Sequence, residues 1–196
     1  RCSEAWLGTR WFLRGPQWDR HVYLPSDRRL LVTLGAGSDA TEYTQAIVTA
    51  LADDRREWVC DVIMIEDVSL AWPPAGARGD KMTWHRGPVD LPKFMSLASV
   101  VICGGGVTSL EALSVGVVPV VIVLADNQRP GAASLAAQGA ALIMEATQVR
   151  WPSVAGRVID LLYNPGELAR LRHAGKVLVD GLGAPRAVQA MVALAD

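Results

Sequence analysis

The sequence predicts an α/β protein built on a doubly wound parallel sheet, and three observations carry the prediction. Short apolar runs alternate with helical stretches along the chain, the order that parallel strands with crossover helices require. Two of the runs, "VVIC" at 100–103 and "VPVVIVL" at 118–124, show no apolar–polar alternation, the pattern of strands covered on both faces. Glycine or proline marks most junctions. At 196 residues, 51% of them hydrophobic, the chain can bury one substantial core or two small ones.

Residues 1–28 lack clear periodicity and hold Trp6, Trp11, Phe12 and Trp18. They read equally as a connector between two domains and as an N-terminal arm packed on its own domain, with 29–196 as the sheet-bearing domain. In that domain 30–34 is a strand, "GAGSD" a turn and 41–52 a helix. The apolar run 59–65 is the next strand. "SLAWPPAGARGDK" after it reads as loop, because Pro73, Pro74 and the glycines break any regular element. A short strand at 82–85 precedes a helix in "LPKFMSLAS", opened by Pro92 near its first turn. Beyond the strands at 100–103 and 118–124 come a helix over 130–138, a strand at 140–145 and a helical C-terminal third punctuated by Asn164-Pro165-Gly166 and by 181–185.

The net charge of −1, with no Lys/Arg stripe, argues against nucleic acid or an anionic membrane surface as the main partner. Cys2, Cys60 and Cys103 are far apart and form no CxxC or Cys/His spacing, so neither a disulfide framework nor a metal site is expected, and a reducing cytoplasm is the simplest setting. The longest strongly apolar run, 117–125, contains Pro119 and is far shorter than the ~20 residues of a spanning helix, so no membrane span is expected. The chain also opens without a signal peptide pattern.

Ligands of doubly wound sheets bind outside the carboxyl ends of the strands, where both glycine-rich turns are expected to lie. Gly104, Gly105 and Gly106 with Thr108 and Ser109 spell a phosphate cradle, bare amides at the positive end of a helix dipole; the plainer reading is a tight turn for packing. Gly35-Ala36-Gly37-Ser38-Asp39-Ala40 satisfies a dinucleotide fingerprint, with Glu66 as the acidic partner, somewhat far downstream. Ser38 or Asp39 reads equally well as a helix N-cap, with Glu42 completing a capping box. Thr108-Ser109-Leu110-Glu111 is also a capping box by spelling. Glu111 then either caps the helix or accepts two ribose hydroxyl protons, and spacing favours the cap. Asn127 and Gln128 offer amide donors and acceptors suited to sugar hydroxyls, or simply form a turn. His85 reads as a structural histidine, and His21 and His173 as surface residues. No nucleophile elbow, HExxH or paired-carboxylate pattern is present, so no catalytic unit is evident.

"VTLGAGSD", "GGGVTSLEALSVGVVPVVIVLADNQ" and "AASLAAQGAALIM" together resemble the C-terminal half of the UDP-sugar hydrolase of pseudaminic acid biosynthesis. That family is a relative of the peptidoglycan glycosyltransferase that adds N-acetylglucosamine to lipid I. The likeness runs from about residue 7 to residue 141, and "LGTRWFLRGPQW" is similar to the family's connector. It implies a GT-B architecture, two Rossmann-like halves around a cleft, of which this chain is the C-terminal one. A UDP-sugar is then the substrate, with no cofactor. By the same resemblance Gly105, Gly106, Thr108 and Ser109 receive phosphate through their amides, Glu111 takes the ribose, and Pro88 and Val89 present backbone groups to uracil. Gly35, Gly37, Ser38 and Asp39 face the sugar-diphosphate end, and Asn127 and Gln128 meet the sugar. The family has Ala-Gly-Gly where this chain has Gly104-Gly105-Gly106, and Trp where Leu110 stands. Its N-terminal half carries the water-activating histidine, so the expectation here is a missing partner half that brings the catalytic base, for hydrolysis or for glycosyl transfer in bacterial polysaccharide synthesis. The rival readings are a nicotinamide-dependent oxidoreductase using the Gly35 turn and a nucleotide-sugar-binding module without turnover.

Overall fold

A computed structural model describes residues 8–36, 38–64 and 81–195. Six strands, β1 (Arg29–Thr33), β2 (Val59–Met64), β3 (Met82–Arg86), β4 (Val100–Gly104), β5 (Val118–Val123) and β6 (Leu142–Glu145), form one all-parallel sheet in the order β3-β2-β1-β4-β5-β6. The helices are α1 (Ser38–Ala52), α2 (Leu91–Leu97), α3 (Val107–Val115), α4 (Arg129–Ala137), α5 (Trp151–Leu162), α6 (Pro165–Leu178) and α7 (Gly183–Ala195). The strands expected at 30–34, 59–65, 82–85, 100–103, 118–124 and 140–145 are all present within two residues, and the doubly wound parallel sheet is confirmed. The loop expected at 69–81 and the acidic candidate Glu66 fall outside the described residues except for Lys81.

Parallel strands leave both faces to be covered, and two apolar clusters do so. Leu30, Val32, Val62, Ile102, Val120 and Ile122 point to the side where Ile47, Leu51, Val158 and Leu161 of α1 and α5 pack. Leu31, Ile63, Val101, Cys103 and Val121 point the other way, against Met95, Ala112, Leu113 and Leu135 of α2, α3 and α4. Strands β4 and β5 are buried along nearly their whole length, which is why their sequence shows no alternation. Helix ends follow local chemistry. Asp90 accepts from Lys93 N ahead of Pro92 in α2, Asn164 does the same for Glu167 N in α6, and α3 stops at Gly116, whose φ of 87° costs a residue without Cβ little.

The segment before β1 packs on this domain. Trp18 is only 3% exposed, in the cluster beneath α2 and α3. Leu24 N and Ser26 N donate to Ser96 O and Leu97 O, and Arg186 of α7 reaches Arg10 O at 3.1 Å.

Residues 165–194 form the one stretch among those described that is apolar and long enough to rank by composition as a membrane-crossing helix, with mean hydropathy 1.3. The backbone leaves the helix at 179–182, where Gly181 has φ 78°, giving α6 and α7 of 14 and 13 residues. At 1.5 Å per residue each spans about 20 Å, short of the ~30 Å hydrocarbon thickness.

One polar cluster is built into the sheet. Asp61 of β2 is 3% exposed, and its carboxylate accepts from Arg29 Nε of β1 at 2.8 Å and lies 2.9 Å from His85 Nε2 of β3. The three belong to adjacent strands, each two residues off the register partner, so the side chains share one face. The His85 ring also lies 4.3 Å from Phe94 of α2, centroid to centroid. His85 is therefore a partnered structural histidine, as expected, and His173 is exposed.

Candidate functional site

The strand order reverses direction between β1 and β4, and their carboxyl ends open into the crevice where doubly wound sheets place ligands. The two glycine turns meet there: a Cβ built on Gly104 would stand 3.5 Å from Leu34 O. Gly35 is exposed with φ 92°, a conformation that glycine adopts without strain. Asp39 lies exposed in the first turn of α1; Gly37 and the Ser38 side chain are outside the described residues.

Gln128 has a different occupation from the one its sequence context suggests. It lies in a 3-10 turn, Asp126–Gln128, and its side chain turns inward, so that Oε1 accepts from Gly105 N at 3.1 Å and from Leu124 N at 3.0 Å. The amide oxygen thus staples the end of β5 to the β4–α3 turn. A Cβ at Gly105 would stand 3.0 Å from Gln128 Cβ, a crowded approach that glycine avoids. In this geometry the Gly105 N–H, expected at a phosphate, donates to Gln128, and the Gln128 side-chain oxygen, expected at a sugar, faces two backbone amides. Arg129 bridges Asp126 at 3.1 Å and Glu145, and Asn127 is exposed in the turn.

Helix α3 begins two residues before the capping-box spelling requires. Its N-cap is Gly106, without a side-chain cap, and Ser109 donates through Oγ to Gly106 O at 2.7 Å while its own N–H reaches the same carbonyl. The expected cap by Glu111 is thereby corrected, and the buried Ser109 hydroxyl is already committed. The N–H groups of Gly106, Val107 and Thr108 have no acceptor among the described residues and stand at the positive end of α3. Gly106 is exposed and has open space around its missing Cβ. These amides belong to the turn that the sequence marks as a candidate phosphate cradle. The turn opens into a cleft of about 580 Å³ whose walls include Trp11, Phe12, Leu110 and Leu135.

Released from capping, Glu111 lies half-buried, its Oε1 accepting from Trp18 Nε1 at 3.1 Å. Burial pushes its carboxyl above the ordinary range, partly opposed by the indole hydrogen bond. Its charge, after burial itself, also helps push the Cys103 thiol up to about 12. Glu111 lines a second cleft, about 390 Å³, together with Val89, Asp90, Pro92 and the segment Gln17, Trp18, Arg20 and His21. His21 Nε2 lies 3.1 Å from Asp90 Oδ2. Pro88 is exposed and Val89 half-buried, just after a turn in which Gly87 takes φ 75°. The structure therefore brings Glu111 and Val89 to one cleft and Gly106 and the first turn of α3 to another. Sequence reasoning missed Trp18, Arg20 and Asp90, because partners 93 residues apart leave no spacing signal.

The chain matches solved glycosyltransferase structures over nearly its whole length. The glycosyltransferase of kitacinnamycin superposes at TM-score 0.73 with 19% identity over 91% of this chain and 46% of that one. MurG of Acinetobacter baumannii does so at TM-score 0.65 with 20% identity, over 89% and 52%. The fold is that of a GT-B Rossmann-like domain. A third neighbour, glycosyltransferase VinC in complex with dTDP, gives TM-score 0.59 and 20% identity over 93% of this chain and 45% of that one. The GT-B likeness thus spans about half the length of the structures matched. No family model and no curated protein sequence matches the chain.

Proposed function

We propose that this domain binds the nucleoside diphosphate of a sugar donor, UDP by the resemblance in its motifs, as the C-terminal half of a GT-B glycosyltransferase or nucleotide-sugar hydrolase. The observation that carries the reading is the pair of clefts lined by α3: three amides without an acceptor among the described residues at one, a carboxylate with a spare oxygen at the other. Glu111 would accept ribose hydroxyl protons, bonds worth about 1.5–3 kcal/mol each when the acceptor is charged. The Gly106, Val107 and Thr108 amides would hold the diphosphate and stabilise charge on it as the sugar leaves. Backbone groups at Pro88 and Val89 would meet the base, and Asn127 and Gly35 the sugar end. The acid–base chemistry is assigned to a partner half, since the histidine built into this sheet is bound to Asp61.

Glu111→Gln separates clamp from cap. Its UDP affinity is expected to fall about tenfold, from the loss of a charged acceptor. Its melting temperature is expected not to fall, because no cap is lost. The sign follows from the raised carboxyl: ionising Glu111 is harder in the folded state, so stability drops as pH rises through the folded pKa, and the glutamine variant lacks that drop. Calorimetric titration with UDP, dTDP and NAD checks the reading. Binding of NAD but of neither pyrimidine nucleotide favours the oxidoreductase alternative.

A further inference from the structure

Trp18 belongs to the segment before the sheet, yet it is the partner of the carboxylate assigned to the ribose. The side chain is 3% exposed and packed among Leu31, Met95 and Val101, so the indole is held by the core, not by the chance course of a loop. Its Nε1 points at Glu111 Oε1 at 3.1 Å, and among the described residues Glu111 Oε2 makes no hydrogen bond. Residues on both sides of Trp18, Gln17, Arg20 and His21, continue as one wall of the same cleft, with Val89, Asp90 and Pro92 opposite.

We infer that Trp18 is a positioning residue for nucleotide binding: its indole N–H fixes the Glu111 carboxylate with one oxygen presented to the ribose, and thereby ties the segment 17–21 to occupancy of the site. This rests on the nucleotide reading above and extends it to a residue that neither composition nor spacing singles out. Among the described residues the indole has no other acceptor, and indole N–H groups buried without one are disfavoured. The carboxylate gains in turn, because one charge-assisted bond removes its freedom to rotate and leaves it prepared for a ligand. Ordering of 17–21 and binding of ribose then support each other, since both depend on one carboxylate orientation.

The charged and titratable groups facing Glu111 are Arg20 and His21 from this segment, Asp90 at the start of α2 and Cys103 on β4. Removing the indole N–H leaves burial less opposed, so Glu111 takes up its proton at higher pH. Trp18→Phe is therefore expected to weaken UDP binding about fivefold to tenfold at the acid end of a pH series, the size of one hydrogen bond to a charged group. The deficit should shrink as pH rises and the carboxyl ionises in both proteins. Loss of packing alone gives a deficit that does not change with pH.

The experiment is calorimetry of UDP binding over a pH series from the ordinary carboxylate range upward, for the full chain, Trp18→Phe, Glu111→Gln and the double variant. A second replacement of Trp18 by benzothienylalanine, which keeps the ring shape and swaps N–H for sulfur, serves if phenylalanine unfolds the protein. The inference expects a pH-dependent deficit in the Trp18 variants that vanishes when Glu111 is already glutamine. Wild-type binding that depends on Glu111 but is indifferent to the indole N–H, or a pH-independent deficit that adds to that of Glu111→Gln, overturns it alone. A wild-type chain that takes up no UDP overturns the nucleotide reading and this inference together.

Discussion

Replacing Gly106 with aspartate is expected to abolish nucleotide binding, by about a hundredfold or more, while leaving the melting temperature unchanged or slightly higher. Gly106 is the N-cap of α3 at φ −103°, a conformation any L-residue adopts, and a Cβ there meets nothing within 4 Å. Aspartate is a preferred N-cap, so its carboxylate would satisfy first-turn amides and complement the helix dipole, worth a few tenths of a kcal/mol over glycine. The same carboxylate fills the cradle with the charge of the ligand, and like charges juxtaposed in a site cost several kcal/mol. Stability and affinity therefore move apart, which general damage to the fold does not produce. Thermal melting beside UDP titration of the variant reads both. A variant that still binds UDP within a few fold moves the diphosphate away from α3.

The second large effect concerns the sheet. Asp61→Ala is expected to cost about 3 kcal/mol, the lower end of what removing one partner from a buried ion pair costs. The lower end applies because Arg29 keeps 29% of its side chain exposed and can turn to water. His85 loses its acceptor as well, and since its ring packs on Phe94, α2 and the adjoining wall at Val89 and Asp90 should loosen with it. Urea unfolding gives the loss as a lower midpoint at constant slope. Asp61→Asn, which keeps an acceptor in place, should lose less. A midpoint shift equivalent to under ~1 kcal/mol for the alanine variant shows that the cluster contributes little to stability.

The sheet was legible because strands buried on both faces leave unbroken apolar runs, and because glycine and proline mark the helix ends. Gly116 stops α3 and Pro92 opens α2 through backbone geometry that belongs to those residues. The site was legible only in outline. A capping box is a spelling, and the spelling at Thr108 to Glu111 does not fix the helix start. Gly106 capped α3 instead, and Glu111 went to an indole 93 residues earlier in the chain. Gln128 reads as a surface amide in "ADNQ", but a turn at 126–128 swings it inward to two backbone amides that no local pattern reveals. Both pairings were hidden for one reason, that side-chain partners are set by tertiary packing and leave no periodicity behind.

The central claim is that a pyrimidine nucleoside diphosphate lies across the first turn of α3, and amide-resolved NMR of the full chain titrated with UDP tests it most directly. The account predicts large shifts of the Gly106, Val107 and Thr108 amides, smaller ones at Val89 and at the Trp18 indole, and little change at Gly105, whose N–H is held by Gln128. Shifts confined to the turn around Gly35, with the α3 amides unmoved at saturating UDP, contradict it.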